Sequence, residues 1–238
     1  MGISLNPLCF LVRHRDLLKG SSIIVLGRQQ INLQNGDATF VDNLFFEADI
    51  DYNFESCVRQ TFADELFLKL GCSSVSYLDY SEYEGAQFLH DLNLPIQNLE
   101  ERFDIVIDGG TLEHVFNIPT AFLNINHILK LGGSLLSMSP ANNWLGHGMY
   151  QFSPELFWVG LGACGFDTKE VLIMVRNGIP RKFYSVPDTR VDGVRREIRI
   201  DSGIRTDIFA HSIKTHVSKQ FDSMAAQQED YKAQWGHR

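Results

Sequence analysis

The stretch "DIVIDGGTLEHV", Asp104–Val115, reads as a buried strand that runs straight into Asp108-Gly109-Gly110, with Glu113 and His114 one step beyond. A short β-branched run closed by Asp and Gly suits a parallel strand covered on both faces, which need not alternate polar and apolar residues. Upstream, "SSIIVLG" (Ser21–Gly27) has the same build, and "SVSYLD" (Ser74–Asp79) and "AQFLHDL" (Ala86–Leu92) predict two more strands, each closing on an aspartate. Downstream, Pro119 opens a helix with Phe122, Ile125 and Leu129 on one face, stopped at Gly132-Gly133. "GSLLSMSP" (Gly133–Pro140) is the fifth strand, and a helix from Pro154, capped by Ser153, runs to Gly165. Two β-rich stretches, "TKEVLIMVR" and "TDIFAHSIK", follow on either side of a charged excursion from Arg176 to Arg205.

Between the first two strands, residues 28–52 carry many Asn, Asp and Gln with no sustained period and predict a long loop or small hairpin insertion. From Asn53 the stripe Phe54, Val58, Phe62, Leu66 and Leu70 predicts one continuous helix ending at Gly71. Alternating strands and helices with short connections require a parallel sheet with helices on both faces. The 238 residues, 44% hydrophobic, suit a single domain spanning 1–238, with a polar tail from about residue 217.

The formal charge of −8 disfavours nucleic acid and anionic membranes as partners, since both need a concentrated positive field. A small-molecule partner fits better. Cys9, Cys57, Cys72 and Cys164 have no paired spacing, which points away from a zinc knuckle or disulfide framework and towards a cytoplasmic location. The longest uncharged apolar run, near Leu156–Phe166, is too short for a bilayer, and no targeting segment is read at the N-terminus. The phosphate-binding GxxxxGK[ST], the nucleophile elbow GxSxG and the zinc-binding HExxH are all missing, as is the GxGxxG of a nucleotide-dependent dehydrogenase.

Ligands of an open parallel sheet bind beyond the carboxyl ends of its strands, which would make Gly27, Asp79, Asp91 and Asp108 neighbours. A carboxylate after the second strand can accept both hydroxyls of a ribose, and one after the third can accept from an exocyclic amine. Taken singly, each of these residues is equally a strand terminator. The "NNWLGHGMYQFSPELF" run, Asn142–Phe157, should hang over the same end and offers His147 and Tyr150 among flexible glycines. Arg195, Arg196, Arg199 and Arg205 read more simply as a solvated face than as an anion clamp.

These residues resemble a known family. "FDIVIDGGTLEHVFN" followed by "ILKLGGSLLSMSP" is similar to the central motifs of class I S-adenosylmethionine-dependent methyltransferases, over roughly Asp79 to Phe166. The stretches "LGRQ", "DYSEYEGA" and "GHGMYQFSPELF" also resemble a bacterial methyltransferase-like subfamily whose glycine-rich motif is degenerate. The resemblance implies a Rossmann-like α/β fold with a mostly parallel seven-stranded sheet. It implies S-adenosylmethionine as cofactor, with Asp79 and Tyr80 at the ribose, Asp91 and Leu92 beside the adenine, and Asp108 with Gly109 near the methionine end. The family's GxGxG keeps only Gly27, since Arg28 and Gln29 stand where small residues would pass under the methionine. The reaction implied is methyl transfer to oxygen or nitrogen of a small polar acceptor, with His114 or His147 as base and Glu113 and Tyr150 nearby. Some relatives bind a divalent metal through Glu-x-x-Glu-His, whose first Glu is Gly110 here, leaving Glu113, His114 and His147. The rival expectation is a catalytically silent relative that kept the sheet and serves as a binding or scaffolding protein.

Overall fold

In chain order, β1 (Gly2–Ile3) leads into α1 (Leu5–Arg13) and α2 (Arg15–Leu18), then β2 (Ser22–Leu26), β3 (Gln30–Ile31) and α3 (Ala38–Glu47). Next come α4 (Phe54–Val58), α5 (Asp64–Lys69), β4 (Ser74–Asp79), β5 (Phe88–Leu89), β6 (Phe103–Asp108) and α6 (Ile118–Ile128). Then come β7 (Leu129–Asn142), β8 (Phe166–Val175), β9 (Phe183–Ser185) and β10 (Thr206–Lys214). The structure is a computed structural model that describes residues 2–176, 182–188, 190, 203–223 and 225–227. Arg195, Arg196, Arg199 and the end of the expected polar tail lie outside the described residues.

One sheet runs β5-β4-β2-β6-β7-β10-β8-β9. From β5 to β7 all pairings are parallel, while β10 lies antiparallel between β7 and β8. The first five positions follow the 3-2-1-4-5 order of a Rossmann-like sheet, whose winding reverses between β2 and β6. The expected α/β architecture is therefore present, with eight strands in this sheet among the described residues where seven were expected. The eighth, β9, pairs antiparallel with the outer edge of β8 and lies inside the charged excursion, where short polar stretches give little strand signal.

Side-chain alternation along β2 splits the core. Ile23 and Val25 join the cluster built by α1, α3, α4 and α5, whereas Ile24 and Leu26 join the cluster built by α6 and the turns over Leu156–Cys164. The sheet is thus sandwiched, as a parallel sheet must be to bury both faces.

Three element readings are corrected. The single helix expected from Asn53 is broken between Val58 and Asp64. Its missing turn is diverted to the loop after β2: Ala63 N–H donates to the Gln29 carbonyl, Ile31 N–H donates to the Thr61 carbonyl, and Gln30 bridges Phe62. Residues 28–52, expected as loop or hairpin, contain β3 and the ten-residue α3. The helix expected from Pro154 to Gly165 opens into a π-helical turn over Leu156–Gly160 and a 3₁₀ turn over Gly162–Cys164, closed by Gly165 at φ 87°.

Candidate functional site

The strand register builds the site. Leu26 lies opposite both Leu78 and Asp108, so Gly27 emerges between Asp79 and Gly109 at the carboxyl end of the sheet. Asp79 in turn pairs with Leu89, two residues before Asp91. Gly27, Asp79, Asp91 and Asp108 therefore end adjacent strands.

Asp108 does not face an open site. It has no exposure, and both oxygens are filled: Oδ1 accepts from the amides of Gly110, Thr111 and Leu112, and Oδ2 accepts from the hydroxyls of Ser137 and Ser139. Burial pushes its carboxyl up, and the amide and hydroxyl donors oppose the shift. Its work is to clamp the turn after β6 to β7. Thr111 completes the clamp by donating from Oγ1 to the Leu26 carbonyl at 2.7 Å.

Asp79 is half-buried, and its Oδ1 accepts from the Ser81 amide. Tyr80 beside it is 77% exposed. Asp91 accepts from both the backbone and side-chain nitrogens of Asn93, which hold its carboxyl below the usual range. Leu92 is buried, and its carbonyl accepts from Asn124.

Arg28 and Gln29 part company. Arg28 turns to Asp64, bridged at 3.0 Å, donates to the Glu84 carbonyl and lies over the Phe62 ring. Gln29 turns inward, 3% exposed, and packs its carboxamide on Gly109.

Beyond the clamp, the short turn Leu112–His114 places Glu113 inside and His114 at the surface. Glu113 has no exposure, its Oε1 lies 3.3 Å from His147 Nε2 and 3.9 Å from His114 Nε2, and its Oε2 has no hydrogen-bond partner among the described residues. Burial, reinforced by the charge on Asp108, pushes its carboxyl up to about 8. Burial lowers both histidines, and for His147 the neighbouring His114, Arg205 and Arg176 lower it further. The loop after β7 is tied to the same residue, since the amides of Met149 and Tyr150 both donate to the Glu113 carbonyl. Tyr150 uses its hydroxyl on the Phe116 carbonyl at 2.8 Å. The ligand atoms of Glu113, His114 and His147 all lie within 4.8 Å of one another, so these three would be the ligands offered to a divalent cation.

A small cleft beside this trio is lined by Gly109, Ser139, Trp144, His147, Arg176 and Asp207. Arg176 and Arg205 both stand over the Trp144 ring, and Arg176 also donates to Asp207 at 2.8 Å. The sequence reading did not single out Thr111, Ser137, Ser139 or Asp207. The two serines carried a usable signal, because positions two apart on a strand share a face.

No protein-family model matches this chain, and no curated protein matches it. Among solved structures, the chain is similar to S-adenosylmethionine-dependent methyltransferases. One is the Burkholderia thailandensis 1,6-didemethyltoxoflavin-N1-methyltransferase with bound 1,6-didemethyltoxoflavin and S-adenosylhomocysteine, at 14% identity and a TM-score of 0.49, covering 87% of this chain and 77% of that one. Another is the S-adenosylmethionine-dependent methyltransferase of Mesorhizobium loti, at 14% identity and a TM-score of 0.47, covering 85% of this chain and 95% of that one.

Proposed function

We infer that this chain is an S-adenosylmethionine-dependent methyltransferase acting on oxygen or nitrogen of a small polar molecule. The observation that carries the reading is the convergence at one end of the sheet of Asp79, Gly27 and Gly109, with the buried Glu113 held against His147 just beyond. This is the end at which open parallel sheets bind ligands. The residues present suit the cofactor: Asp79 would accept from ribose hydroxyls, Asp91 from the adenine amine, and a backbone without Cβ at Gly109 permits close approach. When bound, the cofactor supplies an electrophilic methyl group on a sulfonium.

The chain's own residues orient the acceptor and take its proton. A proton acceptor must be neutral, and burial favours the neutral form of both His114 and His147. The imidazolium formed when either ring takes the acceptor's proton would be stabilised by an ionised Glu113, 3.3 to 3.9 Å away. Tyr150 commits its hydroxyl proton to the Phe116 carbonyl.

A second reading, a catalytically silent binding protein, is favoured by one observation: Gln29 packs where a ligand would pass between Gly27 and Gly109. Calorimetry with S-adenosylhomocysteine separates the two. Micromolar binding supports the enzyme, and no binding at millimolar ligand overturns it. Incubation with a labelled methyl donor and candidate hydroxyl and amine acceptors then tests transfer itself.

A further inference from the structure

The crevice between β2 and β6 is where the winding of the sheet reverses, the place at which an α/β sheet opens to a ligand. Here it is filled by one side chain. A Cβ added to Gly109 would lie 2.6 Å from Gln29 Cδ, 2.7 Å from its Oε1 and 3.0 Å from its Nε2. Gln29 Nε2 donates to the carbonyls of Leu26 at 3.2 Å and Gly27 at 3.3 Å, both long for such bonds. Its Oε1 is buried and accepts from none of the described residues. A glutamine that belonged to the core would have both ends of its amide satisfied, because an orphaned carbonyl carries its full desolvation cost. This one is held weakly at one end and not at all at the other.

We propose that Gln29 is a displaceable plug in the ligand crevice, evicted when S-adenosylmethionine or its product binds; this rests on the methyltransferase reading above. Eviction requires only a side-chain rotation. The main chain around the plug is pinned independently, by Ala63 N–H on the Gln29 carbonyl at 2.9 Å, by Ile31 N–H on the Thr61 carbonyl at 3.1 Å, and by Arg28 on Asp64. The rotation uncovers the Gly27 carbonyl and one lone pair of the Leu26 carbonyl, whose other partner is Thr111 Oγ1, beside the Asp79 carboxylate, a set of acceptors suited to a ligand that brings hydrogen-bond donors. The amide of Gln29 holds that position until such a ligand arrives. The plug therefore lowers apparent affinity by the fraction of molecules in which it is out.

The test is calorimetry of S-adenosylhomocysteine binding to the full chain as wild type, Gln29→Ala and Gln29→Met. The alanine variant has no plug and is expected to bind about tenfold tighter than wild type. The methionine variant refills the crevice with an apolar chain of similar length that lacks the orphaned carbonyl. It is expected to be at least as stable as wild type and to bind about tenfold more weakly. Wild-type binding with an alanine variant that is equal or weaker overturns the plug and leaves the methyltransferase reading standing. No binding by wild type or the alanine variant at millimolar ligand overturns both. Should the alanine variant fail to fold, a methionine variant that binds as tightly as wild type overturns the plug on its own.

Discussion

A carboxylate with no exposure persists at position 108 because its oxygens are met by donors: three amides of its own turn and two hydroxyls of β7. Asp108→Asn exchanges one acceptor oxygen for an amide donor, so either the amides of the turn or the hydroxyls of β7 must reorganise around it. It is expected to cost roughly 2–4 kcal/mol, read as a lower urea midpoint at unchanged slope. Glu113 has a different task. Glu113→Ala removes the group within reach of both histidines, and His147→Ala removes one ring from the trio. Either is expected to lower methyl transfer about 10²- to 10⁴-fold while leaving S-adenosylhomocysteine affinity unchanged, a split that rate and calorimetry measurements resolve. The residue types at this end of the sheet were legible in the sequence, because strand ends and the glycines that follow them are local signals. Their partners were not. That Asp108 serves Ser137 and Ser139, and that Glu113 faces His147, depends on which strands lie side by side, and no local pattern encodes it.

The loop after β7 is an element built on one residue. Its Gly148 has φ 70°, and a Cβ there would meet Glu113 Cγ at 2.8 Å and the Glu113 carbonyl at 3.0 Å. Gly148→Ala therefore combines a left-handed backbone with a contact that must be relieved by moving Glu113, at an expected cost of roughly 1–3 kcal/mol. Thermal unfolding of the variant checks the cost, and loss of methyl transfer beyond the loss of stability checks the displacement. At this scale the apolar runs of β2, β4, β6, β8 and β10 were readable, since burial on both faces leaves little else for such runs to be. The breaks were not. Phe62 has the spacing of a helical core residue, yet it lies under Arg28 while its neighbours bond to the loop after β2, a long-range contact outbidding local helix propensity. The π-helical turn over Leu156–Gly160 likewise follows from how that segment meets α6 and the sheet, and has no counterpart in residue spacing.

For the molecule as a whole, the sheet carries a buried polar seam on its other side. His211 on β10 bonds to Ser134, packs its ring 5.2 Å from His14, and is pushed down to about 4 by burial and then by His14. His14 also meets Glu170 at 2.8 Å, a bond that with Arg13 holds that carboxyl down to about 2. Both groups take up protons more readily when unfolded. The contribution of His211 is therefore present above about pH 6.5 and is lost as pH falls towards 4, and that of Glu170 is lost below it. His211→Gln is expected to flatten the stability curve between those two pH values, as followed by urea unfolding at each pH. In the sheet, β10 lies between β7 and β8. A nascent chain emerging from the ribosome completes β7 and β8 long before the strand that separates them exists, so both expose hydrogen-bonding edges during synthesis. A chain halted before Thr206 is expected to sediment as aggregate, and the full chain to depend on chaperone shelter until β10 arrives.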